Sequence, residues 1–113
     1  MAIRVVVGLV VALWAHGAVA QPVTPADRSG TITTGGTSQT LMEANPARHG
    51  CVIQNLSVSD LWFSDLGVAA AATQPAMRIL PGAFYACSDN HPSALKYTIF
   101  GATTGQAFHA REW

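Results

Sequence analysis

The sequence predicts a single all-β domain: a small β-sandwich of about seven antiparallel strands with one disulfide bond. Short runs of β-branched and aromatic residues recur roughly every ten residues, as is typical of sandwiches and barrels. Gly, Pro, Asn and Asp separate these runs and favour tight turns. No run of strands alternates with helical patterns, so a parallel α/β sheet is not expected.

The N-terminal residues 1–20 read as a cleaved secretory signal peptide. Arg4 precedes the apolar stretch 5–14, and Ala18 and Ala20 form an A-x-A cleavage pattern. The apolar stretch is too short for a membrane span, which needs about 20 residues. We therefore expect an exported protein, periplasmic or extracellular.

The rest of the chain divides into a flexible lead-in, residues 21–30, and a β-sandwich domain, residues 31–113. No later apolar run is long enough to cross a membrane, so no span is expected after signal cleavage. The whole chain has six basic and six acidic residues and a formal net charge of zero. Nucleic-acid binding needs clustered Lys and Arg, so it is not expected.

The first two strands are predicted at residues 31–34 and 38–42, and Asn45-Pro46 ends the second because the residue before proline avoids helical geometry. The third strand covers residues 51–57, with Cys51, Ile53 and Asn55 on one face.

A fourth strand at residues 61–65 follows a turn at Asp60, so these third and fourth strands are predicted to pair as a hairpin.

The alanine-rich segment 66–76 is predicted as a loop because it lacks an amphipathic stripe and Pro75 ends it. Strands follow at 77–80 and 83–87, joined by a Pro-Gly turn.

The last two strands are predicted at 94–101 and 106–113. The first of them alternates most clearly, with Leu95, Tyr97 and Ile99 on one face.

Cys51 and Cys87 are predicted to form a disulfide. An even cysteine count in a small exported domain is typical of such a bond. It would contribute roughly 4 kcal/mol of stability on the chain-entropy model. Two alternatives remain: a metal site, which would need closely spaced Cys and His ligands, and a nucleophilic Cys51 with His49 as its base.

Three histidines, His49, His91 and His109, could build a metal or hydrolase site only if the fold brought them together. Isolated histidines are more often surface residues. We therefore predict no enzyme activity, no metal and no cofactor.

The aromatic residues are the better candidates for a binding role. Trp62 and Phe63 are adjacent, so one faces the core and the other is available for contact. Tyr85 and Trp113 complete the set of candidate interaction residues. Trp113 lies on a last strand, which we expect at a sheet edge, where it could dock a neighbouring strand.

Five ordered segments, "GTITTGGTSQTL", "ANPARHGCVIQN", "LWFSDLG", "ILPGAFY" and "IFGATTGQAFHAREW", cover most of residues 30–113. In these segments the chain resembles small β-sandwich accessory virion proteins of tailed phages and prophages. The resemblance implies a structural role in a capsid or tail and no catalytic residues. A signal peptide and a disulfide depart from that pattern, because virion assembly takes place in the cytoplasm.

Taken together, these observations predict an exported, non-enzymatic structural or interaction module. It would dock a protein partner, or a second copy of itself, through exposed aromatic residues and an edge strand. The alternatives are a carbohydrate or small-ligand binding module that stacks rings on Trp62, and a phage-derived virion accessory protein.

Overall fold

A computed structural model describes residues 24–87 and 91–113. The described residues form an all-β domain of two facing antiparallel sheets, which confirms the predicted fold class. The predicted signal peptide, residues 1–20, lies outside the described residues. Within the two described ranges, no helix is long and apolar enough to cross a membrane.

The strands are shorter and more numerous than predicted. In chain order they are β1 (Ala26–Asp27), β2 (Gly30–Thr31), β3 (Gln39–Met42), β4 (Cys51–Asn55), β5 (Leu61–Ser64), β6 (Met77–Ile79), β7 (Phe84–Ala86), β8 (Tyr97–Gly101) and β9 (Ala107–Glu112). Sheet A has the order β1-β9-β4-β7, with β2 also paired to β9, and sheet B has the order β3-β8-β5-β6.

Most consecutive strands lie in opposite sheets. The chain crosses between the sheets after β2, β3, β4, β6, β7 and β8. The predicted hairpin of β4 with β5 is therefore wrong: β4 pairs with β7 and β9, whereas β5 pairs with β6 and β8. The same turn residues suit a hairpin or an arch, and the choice depends on partners far away in sequence.

The predicted alternation of β4 is confirmed. Cys51, Ile53 and Asn55 are fully buried, and Val52 and Gln54 are half-buried on the other face. Apolar side chains from both sheets fill the space between them, which is where the hydrophobic effect stabilises the domain. The core consists of Ile32, Leu41, Met42, Cys51, Ile53, Leu61, Phe63, Ile79, Cys87, Tyr97, Ile99, Phe108 and Ala110.

Two predictions at the ends of the domain need correction. Residues 26–30, expected within a flexible lead-in, instead form β1 and the start of β2 and pair with β9. As a consequence β9 lies between β4 and the pair β1 and β2, so it is an interior strand and not the expected edge. Nothing in the sequence of a two-residue strand marks it, because its partner is about 80 residues away.

The alanine-rich segment 66–76 has no helix, as predicted, and packs on the outer face of sheet B. Thr98 Oγ1 donates to Val68 O at 2.7 Å, and Ala70 N donates to Ser38 Oγ at 3.0 Å. This cover explains why Thr98, on the outward face of β8, is buried.

The predicted Pro-Gly turn joins β6 to β7 across the two sheets. Ala83 N donates to Leu80 O at 2.9 Å, and Gly82 has a φ of 77°. A proline followed by a residue of positive φ is the pattern of a type II turn, which favours Gly at the third position. The turn delivers β7 to the free edge of sheet A.

Candidate interaction surface

The two cysteines are joined, as predicted. Cys51 and Cys87 form a disulfide with a Cα–Cα distance of 4.8 Å. Cys87 N also donates to Cys51 O at 2.8 Å, so the bond joins directly opposite residues. The disulfide therefore fastens β7 to β4 at the point where β7 ends.

The four predicted interaction residues do not share one surface. Phe63 is 1% exposed and belongs to the core. Tyr85 points inward and packs on it, with ring centroids 4.5 Å apart. Trp62 is half-buried on the outer face of sheet B, opposite Arg78 and Phe100 in the pairing register. Only Trp62 and Trp113 retain a solvent-facing position outside the core.

Trp113 is held by the segment before β4. Its carbonyl accepts hydrogen bonds from His49 N and Gly50 N, and its N–H donates to Gly50 O at 3.1 Å. The ring lines a shallow depression of 470 Å³ on the outer face of sheet A, together with Pro25, Val52 and Arg111. This placement combines an aromatic ring with one cation.

One edge of sheet A is β7, and its pairing with β4 is regular. Asn55 N donates to Ala83 O and Cys87 N donates to Cys51 O, so residues 83, 85 and 87 face β4. Because backbone groups alternate in direction along a strand, the N–H and C=O groups of Phe84 and Ala86 point away from the sheet. This row is a template for another strand.

Phe84 is the most exposed aromatic residue of this edge. Its side chain is 69% exposed and lies on the outer face of sheet A, in register with Gln54. From the sequence, the neighbouring Tyr85 is predicted as an interaction residue, and Phe84 is not. The sequence indicates that Phe84 and Tyr85 face opposite sides of β7. Which of the two faces inward depends on how this three-residue strand packs against sheet B.

The three histidines are not brought together. No group of three or more His, Cys, Asp or Glu side chains within residues 24–87 and 91–113 could hold a metal ion. His109 Nδ1 lies 2.9 Å from Ser29 Oγ, and Arg111 Nη2 lies 2.7 Å from His109 Nε2.

The Ser29–His109 contact belongs to a larger hydrogen-bond network between the β1–β2 segment and β9. Ser29 Oγ also accepts from Ala110 N and donates to Ala110 O, so the hydroxyl is engaged in tying the β1–β2 segment to β9. Arg111 Nε donates to His109 Nε2, which leaves that nitrogen as an acceptor. The Ser29 hydrogen bonds also lower the pKa of Asp27. The cluster serves sheet A as a structural brace.

One end of the sandwich is closed by a buried ion pair. The Arg48 side chain is fully buried, and its Nε lies 3.6 Å from Glu112 Oε1. Glu112 also accepts from Arg28 Nε at 3.2 Å and from Asn45 Nδ2 at 3.0 Å. The Arg48 guanidinium stands 4.6 Å from the centre of the Tyr97 ring. We call this the ion-pair end.

The opposite end is closed by two buried amides. Asn55 Nδ2 donates to Ser59 O at 2.8 Å and to Ile79 O at 2.9 Å. Gln106 Nε2 donates to Ser59 O and Asp60 O. We call this the amide end. In the sequence, a polar Asn55 on the otherwise apolar face of β4 indicates a buried amide. No sequence pattern indicates that Arg48 is buried.

Comparison of the chain with protein-family models, with curated proteins and with solved structures finds no match. The resemblance to virion accessory proteins therefore stays a prediction. The candidate surface rests on the geometry of the chain itself: the β7 edge with Phe84, and the outer face of sheet A that continues from it.

Proposed function

We propose that the protein is an exported, non-enzymatic interaction module that docks an extended protein segment by strand addition to β7. The observation that supports this most strongly is the open β7 edge, where the uncharged strand Phe84–Ala86 has outward backbone groups and an exposed Phe84. In strand addition the main chain supplies affinity and the alternate side chains supply selectivity. Phe84 would be the anchoring side chain, because aromatic residues dominate interface energetics.

The disulfide supports the same function. It fixes Cys87 to Cys51 beside the proposed docking strand, and Tyr85 holds the strand from below through Phe63. An edge that is already ordered loses less conformational entropy when a partner binds.

The test is a selection of displayed ten-residue peptides against the oxidised protein, followed by binding measurements on Ala86→Pro. Proline removes the outward N–H of Ala86 without removing a bond to β4. We expect the selected peptides to be extended and apolar at alternate positions, and to lose at least about tenfold in affinity for Ala86→Pro.

Phe84→Lys provides a second variant in case proline distorts the strand. Its matched control is Val58→Lys, which adds the same charge at a residue that is 95% exposed in the β4–β5 connection. Peptides that bind both lysine variants and Ala86→Pro as well as the unaltered protein would contradict docking at β7.

A second function has one favouring observation. The depression lined by Pro25, Val52, Arg111 and Trp113 combines a ring for stacking with a donor for hydroxyl or acidic groups, as a carbohydrate or small-ligand module requires. Quenching of tryptophan emission by sugars that is lost in Trp113→Phe and retained in Trp62→Phe would favour it. Equal loss in both variants, or no quenching, would count against it.

A further inference from the structure

The sheet edges of the described residues differ in how they are protected against pairing. Strands β1 and β2 have two residues each, and β3 has a register shift between Thr40 and Met42. At β6, Arg78 is charged and lies 2.8 Å from Asp60. Short strands, bulges and charges are the usual devices that prevent edge-to-edge association.

The fourth edge, β7, is also short, with three residues, but it has neither a charge nor a register shift. Residues 82–87 read "GAFYAC", without a charge or a proline, and the pairing with β4 has no register shift. The neighbouring outward positions on β4, Val52 and Gln54, are also uncharged. Among the edges of the described residues, β7 therefore has the fewest of these devices, which makes it the edge best suited to pair with another strand.

We propose that the strand added to β7 is β7 of a second copy of this chain, paired antiparallel about a two-fold axis at Tyr85. This inference rests on the proposed function and names its partner. Because the backbone groups of Phe84 and Ala86 point outward, the two-fold places Phe84 of one copy opposite Ala86 of the other. The two strands then exchange hydrogen bonds at both of these pairs.

The side chains fit this register. Phe84 and Ala86 both lie on the outer face of sheet A, in register with Gln54 and Val52. Across the two-fold, each large ring faces a methyl group, so two rings do not compete for one position. Such isologous pairing uses the same patch on both copies, as most homodimers do.

Among the described residues, no charged side chain lies on β7 or at the outward positions of β4 beside it. On the outer face, the charged residue in the row of Ala86 and Val52 is Arg111 on β9, two strands from the edge. The whole chain has a formal net charge of zero, so long-range repulsion between copies is weak.

Sedimentation equilibrium of the oxidised full chain tests the proposal. We expect a monomer–dimer equilibrium that Phe84→Lys and Ala86→Pro shift toward monomer, with at least about a tenfold larger dissociation constant. Val58→Lys, which adds an equal charge elsewhere, should dimerise as the unaltered chain does. A photo-crosslinking benzoylphenylalanine in place of Phe84 should give adducts within residues 83–87 of an isotope-labelled second copy.

Three results would overturn the inference. A monomer at all concentrations would exclude the second copy, and the peptide selection against Ala86→Pro would then decide docking at β7 separately. A dimer insensitive to Phe84→Lys and Ala86→Pro would place the interface elsewhere. Adducts outside residues 83–87 would exclude the antiparallel register even if dimers form.

Discussion

At the two ends of the sandwich, different side chains donate hydrogen bonds to inward-facing backbone carbonyls: a charged guanidinium at the ion-pair end and neutral amides at the amide end. At both ends the chain crosses between the sheets, and backbone carbonyls of the crossings turn toward the interior. At the ion-pair end, Arg48 donates to the carbonyls of Glu43, Ser93 and Leu95. At the amide end, Asn55 and Gln106 donate to carbonyls of the β4–β5 crossing.

The charged guanidinium and the neutral amides need different partners when they are buried. A buried guanidinium must have a counter-charge, so Glu112 is buried as well, and Asn45 and Arg28 in turn bind Glu112. A buried amide is neutral and needs only hydrogen-bond partners, such as Ser57 N for Asn55 Oδ1 and Ser59 O for Gln106 Nε2. The ion-pair end therefore depends on balanced buried charges as well as on hydrogen bonds, and we expect it to be the more sensitive to substitution.

The largest expected effect is that of Arg48→Met. It removes the donor to three carbonyls and leaves Glu112 buried with only the part-exposed Arg28 as a counter-charge among the described residues. Breaking a buried pair in this way costs about 3–5 kcal/mol of unfolding free energy. Urea denaturation of the oxidised protein measures the loss.

The double variant Arg48→Met with Glu112→Gln separates the charge from the lost hydrogen bonds. It should recover part of the loss, because it removes a buried carboxylate that would keep only the part-exposed Arg28 as its counter-charge. The single variant Arg28→Met measures the separate cost of losing the Arg28–Glu112 pair. A double variant that is less stable than Arg48→Met by more than this cost would contradict the role assigned to the Glu112 charge.

At the amide end, Asn55→Ala should cost less, about 2–3 kcal/mol, because Ile79 O loses its side-chain donor and Ser57 N loses its acceptor. The matched control is Gln54→Ala, the neighbouring amide on the outer face, whose one hydrogen bond to Gly82 O is 3.4 Å long. A cost for Asn55→Ala equal to that of the control would contradict the role assigned to the amide end.

The two ends should also contribute differently to the loss of stability at alkaline pH. Burial raises the pKa of Tyr97, under Arg48, to about 12. In the unfolded chain the Tyr97 phenol ionises near pH 10. The folded state keeps the proton to higher pH, so the free energy of unfolding falls as pH rises from 10 to 12. Between pH 9 and 11 the loss should be about 1 kcal/mol.

Tyr97→Phe should remove most of that pH-dependent loss, with a smaller part left to Tyr85, whose pKa burial also raises. Asn55→Ala should leave the slope unchanged. An unaltered slope in Tyr97→Phe would assign the alkaline transition to another group.

The smallest expected loss of stability is that of breaking an exposed ion pair. It tests whether burial, and not charge alone, makes the ion-pair end sensitive to substitution. Asp60 belongs to the crossing at the amide end, and its ion pair with Arg78 is 2.8 Å long but half-exposed. Arg78→Met should cost at most about 1 kcal/mol, and less at high salt, because exposed pairs are screened. A cost comparable with that of Arg48→Met would mean that burial does not set the scale.

The sequence by itself determined the class of the fold and its disulfide. Alternation along β4 and β8 and the turn at Pro81-Gly82 are local signals, because side-chain direction and turn type depend on adjacent residues. The pairing of Cys51 with Cys87 followed from there being two cysteines. The inward position of Asn55 was equally a matter of alternation.

Only the tertiary structure decided which strands are neighbours. The arch between β4 and β5, the interior position of β9 and the edge position of β7 depend on pairings over tens of residues. Arg48 becomes a buried cation only because Glu112 and three carbonyls from other segments surround it. Local sequence patterns determine the direction in which a side chain points. Its contact partners come from distant segments, and they depend on the free energy of packing a common core against the entropy cost of closing long loops.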